Sequence, residues 1–390
     1  MRVLVLGADG YLGWPTCMYF SQRGHAVAGV DNYFRRKASI ELDCEPLVPT
    51  PNLIQRAKIW KDASGKELTV YIGDVSDYAF LKKVFEEFRP EVVIHYAEQP
   101  SAPYSMIDHG KALFTLVNNL SSTLNVIYAV KEVAPDCHII KIGTMGEYGT
   151  PNIDIEEGWI EIEHKGRKDR FLFPRQASSL YHTTKIQDTD LLWFYARTWG
   201  IRVTDLMQGP VYGIETEESQ LSPQSSSLSP ESLMPNFNYD EIFGTVLNRF
   251  IVQAVIGYPL TVYGKGGQIR GYLNIKDTMQ CVYLSATTPS KPGELRIFNQ
   301  VTETFSVNEL AEKVKRVGDS LGYNVEINHI ENPRIEKEDH YYNPTYTGLL
   351  ELGLKPHYLT DEVLEGMFRV VGKYKDRINR DAIFRGISWR

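Results

Sequence analysis

The sequence predicts an α/β protein built on a doubly wound parallel sheet, with a smaller α/β lobe after it, and three observations carry that prediction. The chain opens on a short apolar run, Arg2-Val3-Leu4-Val5-Leu6, of the kind a strand buried on both faces shows. Glycines at 7, 10 and 13 follow at once, where such a strand would turn into a helix. A second strand-like run over 26–30 then ends in an acid, Asp31. Strand, glycine turn, helix, strand and acid in that order open a Rossmann-type dinucleotide site.

Length and composition bound the rest. A chain of 390 residues suggests about two domains: a dinucleotide-binding domain over 1–207, with inserts near 32–67 and 150–178, and a mainly substrate-binding lobe over 208–390, some segments of which could return to the first. The net charge of −7 offers no general attraction to nucleic acid or an anionic membrane. No uninterrupted apolar run approaches the roughly 18 residues a span needs. A strand follows Met1 directly, so the expectation is a cytoplasmic protein with no signal or transit segment. Cys17, Cys44, Cys137 and Cys281 lie far apart, and the histidines show no paired spacing. Neither a disulfide framework nor a protein-built metal site is expected.

Each element can be justified in turn. Gly7 permits the tight turn, Gly10 lets backbone approach a pyrophosphate, and Gly13 lets the helix pack on the strand. Tyr11 and Leu12 sit inside that turn, where helix N–H groups would meet phosphate oxygens. Asp31, with Asn32 beside it, is placed to accept hydrogen bonds from a ribose and to repel a 2′-phosphate, which favours NAD over NADP. Arg35 and Arg36 follow closely and could soften that choice. Residues 32–67 are a polar excursion longer than an ordinary connection. The third strand, 68–72, leads to Asp74 and Val75, which would lie near the adenine. A helix over 77–88 and a strand over 91–95 lead into the loop His95–Tyr104, expected over the nicotinamide side. Leu113, Leu116, Val117, Leu120, Leu124 and Ile127 mark a helical face. Asn119 on that helix could orient a backbone or a water, or be a buried structural amide.

The strand over 138–142 opens into Gly143-Thr144-Met145-Gly146-Glu147 at the sheet edge where ligands bind. Tyr181 and Lys185 are four apart at the start of a helical run, so they share one face. A nearby ammonium favours a phenolate, which makes Tyr181 a candidate base for a sugar hydroxyl, with Thr144 holding the same hydroxyl. Arg167-Lys168-Asp169-Arg170, in the 150–178 insert, would suit an anionic co-substrate or be a solvated hairpin. A strand over 203–207 runs into Gln208. Residues 215–235, rich in Ser, Pro and Glu, read as a mobile loop or lid. Asn248-Arg249 lies on a helix, and Thr261-Val262-Tyr263 on a strand. Arginines at loop edges suit a diphosphate.

The amino half resembles the extended short-chain dehydrogenase/reductase family, through Gly7-x-x-Gly10-x-x-Gly13, Thr144 and Tyr181-x-x-x-Lys185. The carboxyl half is similar to that family's sugar-nucleotide lobe. The resemblance implies NAD as cofactor, held by the residues named above from Gly7 to Asn119 with Tyr181, Lys185 and Gln208. It implies a nucleotide sugar met by Gln99, Thr144, Gln208, Asn248, Arg249, Thr261, Val262, Tyr263, Gln268, Arg270 and Arg334, and a homodimer through helices near 109–131 and 179–199.

Longer blocks resemble a narrower branch that joins UDP-glucose to sulfite. These include 143–158, Gln176-Ala177-Ser178-Ser179-x-Tyr181-His182, 101–108, 263–273 and Glu338-x-His340-Tyr341-Tyr342-Asn343. The branch implies C4 oxidation, loss of the 6-hydroxyl, sulfite addition at C6 and re-reduction. Sugar 4,6-dehydratases carry an Asp-Glu pair after the threonine; here those positions are Met145 and Gly146. The acid and base must come from elsewhere, and Glu147 and His182 are the nearest candidates; His182 could also hold bisulfite or simply fix the helix. Pro100 stands where relatives carry an arginine. The rival readings are a UDP-glucose 4-epimerase, another NAD-dependent nucleotide-sugar enzyme, or a non-enzymatic NAD-binding module.

Overall fold

The computed structural model of the protein describes residues 1–224, 230–333 and 341–387. The chain runs β1 (Arg2–Leu6), α1 (Gly13–Gln22), β2 (Ala26–Asp31), α2 (Phe34–Glu41), α3 (Leu53–Ser64), β3 (Thr69–Ile72), α4 (Tyr78–Phe88), β4 (Val92–His95), α5 (His109–Val133) and β5 (His138–Thr144). A hairpin of β6 (Trp159–His164) and β7 (Arg167–Leu172) precedes α6 (Leu180–Trp199) and β8 (Arg202–Gln208). Then come β9 (Val211–Tyr212), α7 (Val246–Val255), β10 (Leu260–Tyr263), β11 (Ile269–Asn274), α8 (Ile275–Thr287), β12 (Leu295–Gln300), β13 (Glu303–Ser306), α9 (Val307–Ser320) and β14 (Ile327–Ile330). Three helices close the described chain: α10 (Gly348–Glu351), α11 (Asp361–Lys373) and α12 (Arg380–Ile383).

Seven strands form one parallel sheet in the order β12-β8-β5-β4-β1-β2-β3. The strand order reverses between β1 and β4, so a crevice opens at their carboxyl ends. β4 is buried at every residue, as a strand covered on both faces must be. β12 comes from the carboxyl half yet pairs with β8, Leu295 opposite Val203. Conversely, Leu47 and Val48 of the early excursion pack with Phe250 and Leu310 in the core of the lobe, and the Leu47 N–H donates to the Phe237 carbonyl at 2.9 Å. The two halves therefore exchange segments, which holds the crevice between them.

Helix α5 corrects one expectation. It is long and apolar enough to span a bilayer, with a mean hydropathy of 1.2 over 18 residues. Asn118, Asn119, Ser121 and Ser122 interrupt the apolar run and hid this. The helix packs between α4 and α6 and buries Thr115, Asn119, Ser122 and Thr123 together with Val126 and Ile127. The 215–235 stretch is also anchored where it is described. The Trp14 indole donates to the Leu233 carbonyl at 3.0 Å, Arg56 to the Met234 carbonyl at 2.6 Å, and Arg23 pairs with Glu218 at 3.0 Å. Residues 225–229 lie outside the described residues.

Candidate active site

Two adjoining cavities, of about 650 and about 80 Å³, open at the carboxyl ends of the central strands. Gly7, Gly10, Arg35, Tyr96, Glu98 and Pro100 border both. The glycine turn makes this approach possible. Gly7 has φ +83°, and a Cβ there would lie 2.8 Å from the Tyr96 carbonyl carbon. A Cβ on Gly13 would lie 2.0 Å from the Gly7 oxygen, so α1 could not seat against the turn.

The smaller cavity is walled by Asp31, Asn32, Asp74, Val75 and Asn118. Asp31 accepts the Asp9 N–H at 2.9 Å and the Tyr33 N–H at 2.6 Å. Burial, and Asp9 beside it, push its carboxyl up to about 6. Asn32 donates to Asp74 at 2.8 Å, fixing both side chains. Arg36 does not join them: it is spent on Asp9 at 2.5 and 3.0 Å and on the Thr50 and Pro51 carbonyls. Arg35 stays at the rim, over the Phe243 ring at 4.3 Å and donating to Asn238 at 3.0 Å. A half-buried acid at the ribose position with Arg36 turned away suits NAD. Pro100 carries no charge at the rim shared by the two cavities, and Arg35 is a cation on that same rim.

Thr144, Tyr181 and Lys185 all border the larger cavity. The Ser179 hydroxyl caps α6 by accepting the His182 N–H at 3.1 Å, and the Tyr181 N–H donates to Ser105 Oγ at 3.2 Å. Tyr181 and Lys185 then stand one turn apart at the crevice. The expected effect of Lys185 on Tyr181 is not present in this geometry. The Lys185 ammonium donates to Glu98 at 2.7 Å. Burial first, and then the Glu98 and Glu147 carboxylates, push the Tyr181 phenol above its ordinary range.

Glu147, expected as an acid or base, does not border the cavity. Its carboxylate is fully buried, 3.1 Å from Lys141 Nζ and 3.3 Å from Arg175, and accepts the Thr144 N–H at 3.2 Å. Lys141 also donates to Asp205, Thr189 and the Lys185 carbonyl. This network braces the Thr144 turn from behind. His182 and Met145 do face the cavity. The imidazole Nδ1 lies 2.7 Å from Ser178 Oγ and 3.0 Å from Ser179 Oγ. A Cβ on Gly146 would sit 2.3 Å from His182 Nε2, so the ring fills the space a side chain at 146 would take.

Four further expectations are corrected by where side chains point. Gln99 turns inward, bonding Thr115 and the Ser101 backbone, and its neighbour Glu98 faces the cavity instead. Asn119 is the buried structural amide: it accepts the Gln99 N–H at 2.8 Å and donates to the Gln99 carbonyl and to Thr184. Val262 enters the lobe core while Thr261 and Tyr263 face the cavity, because alternate strand residues point to opposite sides. Asn248 lies behind the wall, donating to the Tyr11 hydroxyl at 3.3 Å and accepting the Gly213 N–H at 3.3 Å. Tyr11, Leu12, Gln208, Arg249, Gln268 and Arg270 line the larger cavity. Arg334 lies outside the described residues. Arg167, Lys168 and Arg170 are on the exposed hairpin, Lys168 paired with Glu163 at 3.4 Å and Arg170 over the Trp159 ring at 4.9 Å, away from the cavity wall. The sequence reading missed Glu98, Asn118, Glu241, Phe243 and Tyr342 as lining residues. Glu98, in the loop assigned to the nicotinamide side, and Tyr342, in the matching block that ends at Asn343, carried signals that could have found them.

The arrangement brings a threonine hydroxyl, a phenol and an imidazole to one wall, with a buried ammonium behind them, and arginines to the opposite lobe. It can bind an anionic, hydroxylated ligand and move protons on it. A model of the NAD dependent epimerase/dehydratase family matches residues 3–299. The chain is 49% identical over its full length to the chloroplastic UDP-sulfoquinovose synthase of Spinacia oleracea, covering 79% of that protein. It is 46% identical to the UDP-sulfoquinovose synthase of Sulfolobus acidocaldarius, covering all of this chain and 98% of that one. Among solved structures, UDP-glucose 4-epimerase from Bifidobacterium longum in complex with NAD+ and UDP superposes with a TM-score of 0.68 at 19% identity, covering 97% of this chain and 99% of that one.

Proposed function

This chain belongs to the NAD dependent epimerase/dehydratase family and, within it, to the UDP-sulfoquinovose synthases, and from that premise we propose that it converts UDP-glucose and sulfite to UDP-sulfoquinovose and water. NAD would sit along the glycine turn, with Asp31 accepting from the ribose and Arg35 at the rim between the cavities. The Gly7 and Gly13 cradle, which a Cβ would fill, and the half-buried Asp31 carboxylate fit that cofactor. When bound, it supplies reversible hydride exchange at C4 of the sugar.

The residues of the chain do the rest. Arg249 and Arg270 hold the diphosphate, with Tyr263 and Gln268 beside it. Thr144 and Tyr181 hold the 4-hydroxyl, and Tyr181 takes its proton. A carbonyl at C4 acidifies the C5 hydrogen. Loss of that proton and of the 6-hydroxyl leaves an enone whose C6 accepts sulfite. His182, which lines the cavity beside Thr144, Met145 and Tyr181, is the group we assign to this chemistry. Met145 gives the C5–C6 end an uncharged wall that does not repel sulfite.

The observation that carries the reading is the pairing of Gly146 with His182. A dehydratase would place a carboxylate at 146, and here the imidazole occupies that space. The exposed Leu113 and Val117 of α5 and Phe194 of α6 suit a homodimer formed through those helices. We place the protein in the cytoplasm. The deciding experiment is mass spectrometry of UDP-glucose incubated with the protein, NAD and sulfite. A UDP-hexose carrying a sulfonate is the expected product. Conversion to UDP-galactose at unchanged mass would overturn the reading in favour of an epimerase.

A further inference from the structure

Gly10, in the middle of the glycine turn, is flanked by two residues that reach across to the carboxyl lobe. Asn236 Nδ2 donates to the Asp9 carbonyl at 2.5 Å and lies 3.4 Å from the Asp9 carboxylate. The Tyr11 hydroxyl donates to the Gly213 carbonyl at 2.6 Å and accepts Asn248 Nδ2 at 3.3 Å. Asn248 Oδ1 accepts the Gly213 N–H at 3.3 Å, so hydroxyl, amide and peptide close a ring of hydrogen bonds. Both asparagines are buried, and neither borders a cavity.

Each asparagine stands at the head of a segment that walls the larger cavity. Asn248 precedes Arg249 on α7. Asn236 begins a run of linked turns: Asn238 Nδ2 donates to Asp240 at 3.1 Å, and Asp240 accepts the Ile242 and Phe243 N–H groups at 2.9 and 2.8 Å. Those turns carry Glu241, Ile242 and Phe243 to the cavity wall. On the cofactor side Asp9 is equally fixed. Its N–H donates to Asp31 at 2.9 Å, and Arg36 and Arg56 hold its carboxylate. A shift of the turn relative to the lobe would leave two buried amides unpaired, which is costly away from water. Turn and lobe wall therefore take up one arrangement together. Phosphates bound to the N–H groups of such a turn fix its backbone.

We propose that Asn236 and Asn248 couple the two ligand sites, so that a dinucleotide seated on the glycine turn sets the wall that receives the diphosphate of the nucleotide sugar. The dinucleotide fixes Asp9 and Tyr11, these fix the two asparagines, and the diphosphate then meets Arg249 and the 241–243 wall in place. The coupling is reciprocal, so the diphosphate strengthens dinucleotide binding by the same factor. Both asparagines are positioning residues. The inference rests on the reading of the turn as the seat of NAD and of Arg249 as a diphosphate ligand.

The test needs neither sulfite nor turnover. UDP is the probe, because it carries the diphosphate without the sugar that would touch the nicotinamide. Its affinity for the full chain is measured by calorimetry without NAD and with NAD at saturation. The wild type should bind UDP about tenfold more tightly with NAD present. Asn236→Ala and Tyr11→Phe each cut one link and should each bring that ratio below about threefold, and the double variant should bring it to about one. In turnover, Asn236→Ala should raise KM for UDP-glucose about tenfold with kcat within about threefold, the mark of lost binding rather than lost chemistry. A merely structural role would lower stability and leave the ratio where it was. Equal UDP affinity with and without NAD in the wild type, or an undiminished ratio in the double variant, overturns this inference alone. Failure of the wild type to bind UDP at all overturns the nucleotide-sugar reading and the coupling with it. Asn236→Ala should fold, because Trp14 and Arg56 still hold the Leu233 and Met234 carbonyls. Should it not, Tyr11→Phe, which keeps its ring against the lobe core, decides.

Discussion

Gly146→Ala is a small change with a large expected consequence. The new Cβ would meet His182 Nε2 at 2.3 Å, Cδ2 at 2.6 Å and Cε1 at 2.7 Å. Carbon and nitrogen rest near 3.5 Å, so the ring must retreat by about 1 Å. It cannot do so freely, because Nδ1 is held by Ser178 and Ser179 and the backbone by the cap of α6. Overpacking of this kind costs about 1–3 kcal/mol, and a misplacement of about 1 Å at a reacting group costs about 10²-fold in rate. Gly146→Ala should therefore lower the melting temperature slightly and cut sulfonate formation, read by mass spectrometry, about 10²-fold. NAD binding, read by quenching of protein fluorescence, should hold, because the glycine turn is untouched. In the double variant Gly146→Ala/His182→Ala the clash is gone, so stability should return while sulfonation stays low. Full sulfonation by Gly146→Ala alone, or by the double variant, would refute the reasoning that the imidazole in that space does the C5–C6 chemistry.

Other perturbations test other parts of the molecule. Asp31 must be ionised to accept both ribose hydroxyls, and its folded carboxyl titrates at about 6; NAD affinity by calorimetry should be level above that pH and weaken by up to about tenfold per unit below it, whereas Asp31→Asn should bind weakly at every pH with no such slope. Lys141→Met removes the buried ammonium between Glu147 and Asp205 and should cost about 3–5 kcal/mol in urea unfolding; a cost below about 1 kcal/mol would mean that this ammonium is not what holds the two carboxylates in place. Val117→Glu with Phe194→Glu puts charge on the exposed faces of α5 and α6 and should halve the mass measured by light scattering, while a wild type that is already a monomer would remove the proposed dimer.

Much of this was legible in the order of residues. The turn Gly7–Gly13, Asp31 at the end of β2, and Tyr181 with Lys185 on α6 are local features. Their geometry follows from turn sterics and a 3.6-residue period, which no distant contact alters. The alternation at 261–263 could have placed Val262 inward by the same logic. The reading failed where a side chain had two directions open to it. Gln99 and Glu98 are adjacent in an irregular loop, and nothing in their order says that Thr115 and Asn119 would draw Gln99 and its backbone inward, leaving Glu98 to meet Lys185.

The sequence by itself determined the class of fold, the dinucleotide turn and the tyrosine–lysine pair, because those rest on spacing along one element. Tertiary structure alone decided which carboxylates serve the site. Glu147 stands three residues from Thr144 in the chain, but the convergence of Lys141, Asp205 and Arg175 from other elements sequesters it. Glu98 and Lys185, 87 residues apart in the sequence, meet at 2.7 Å only because the loop after β4 lies against α6. The cost of burying a charge depends on every neighbour within a few ångströms, and those neighbours are set by packing between elements.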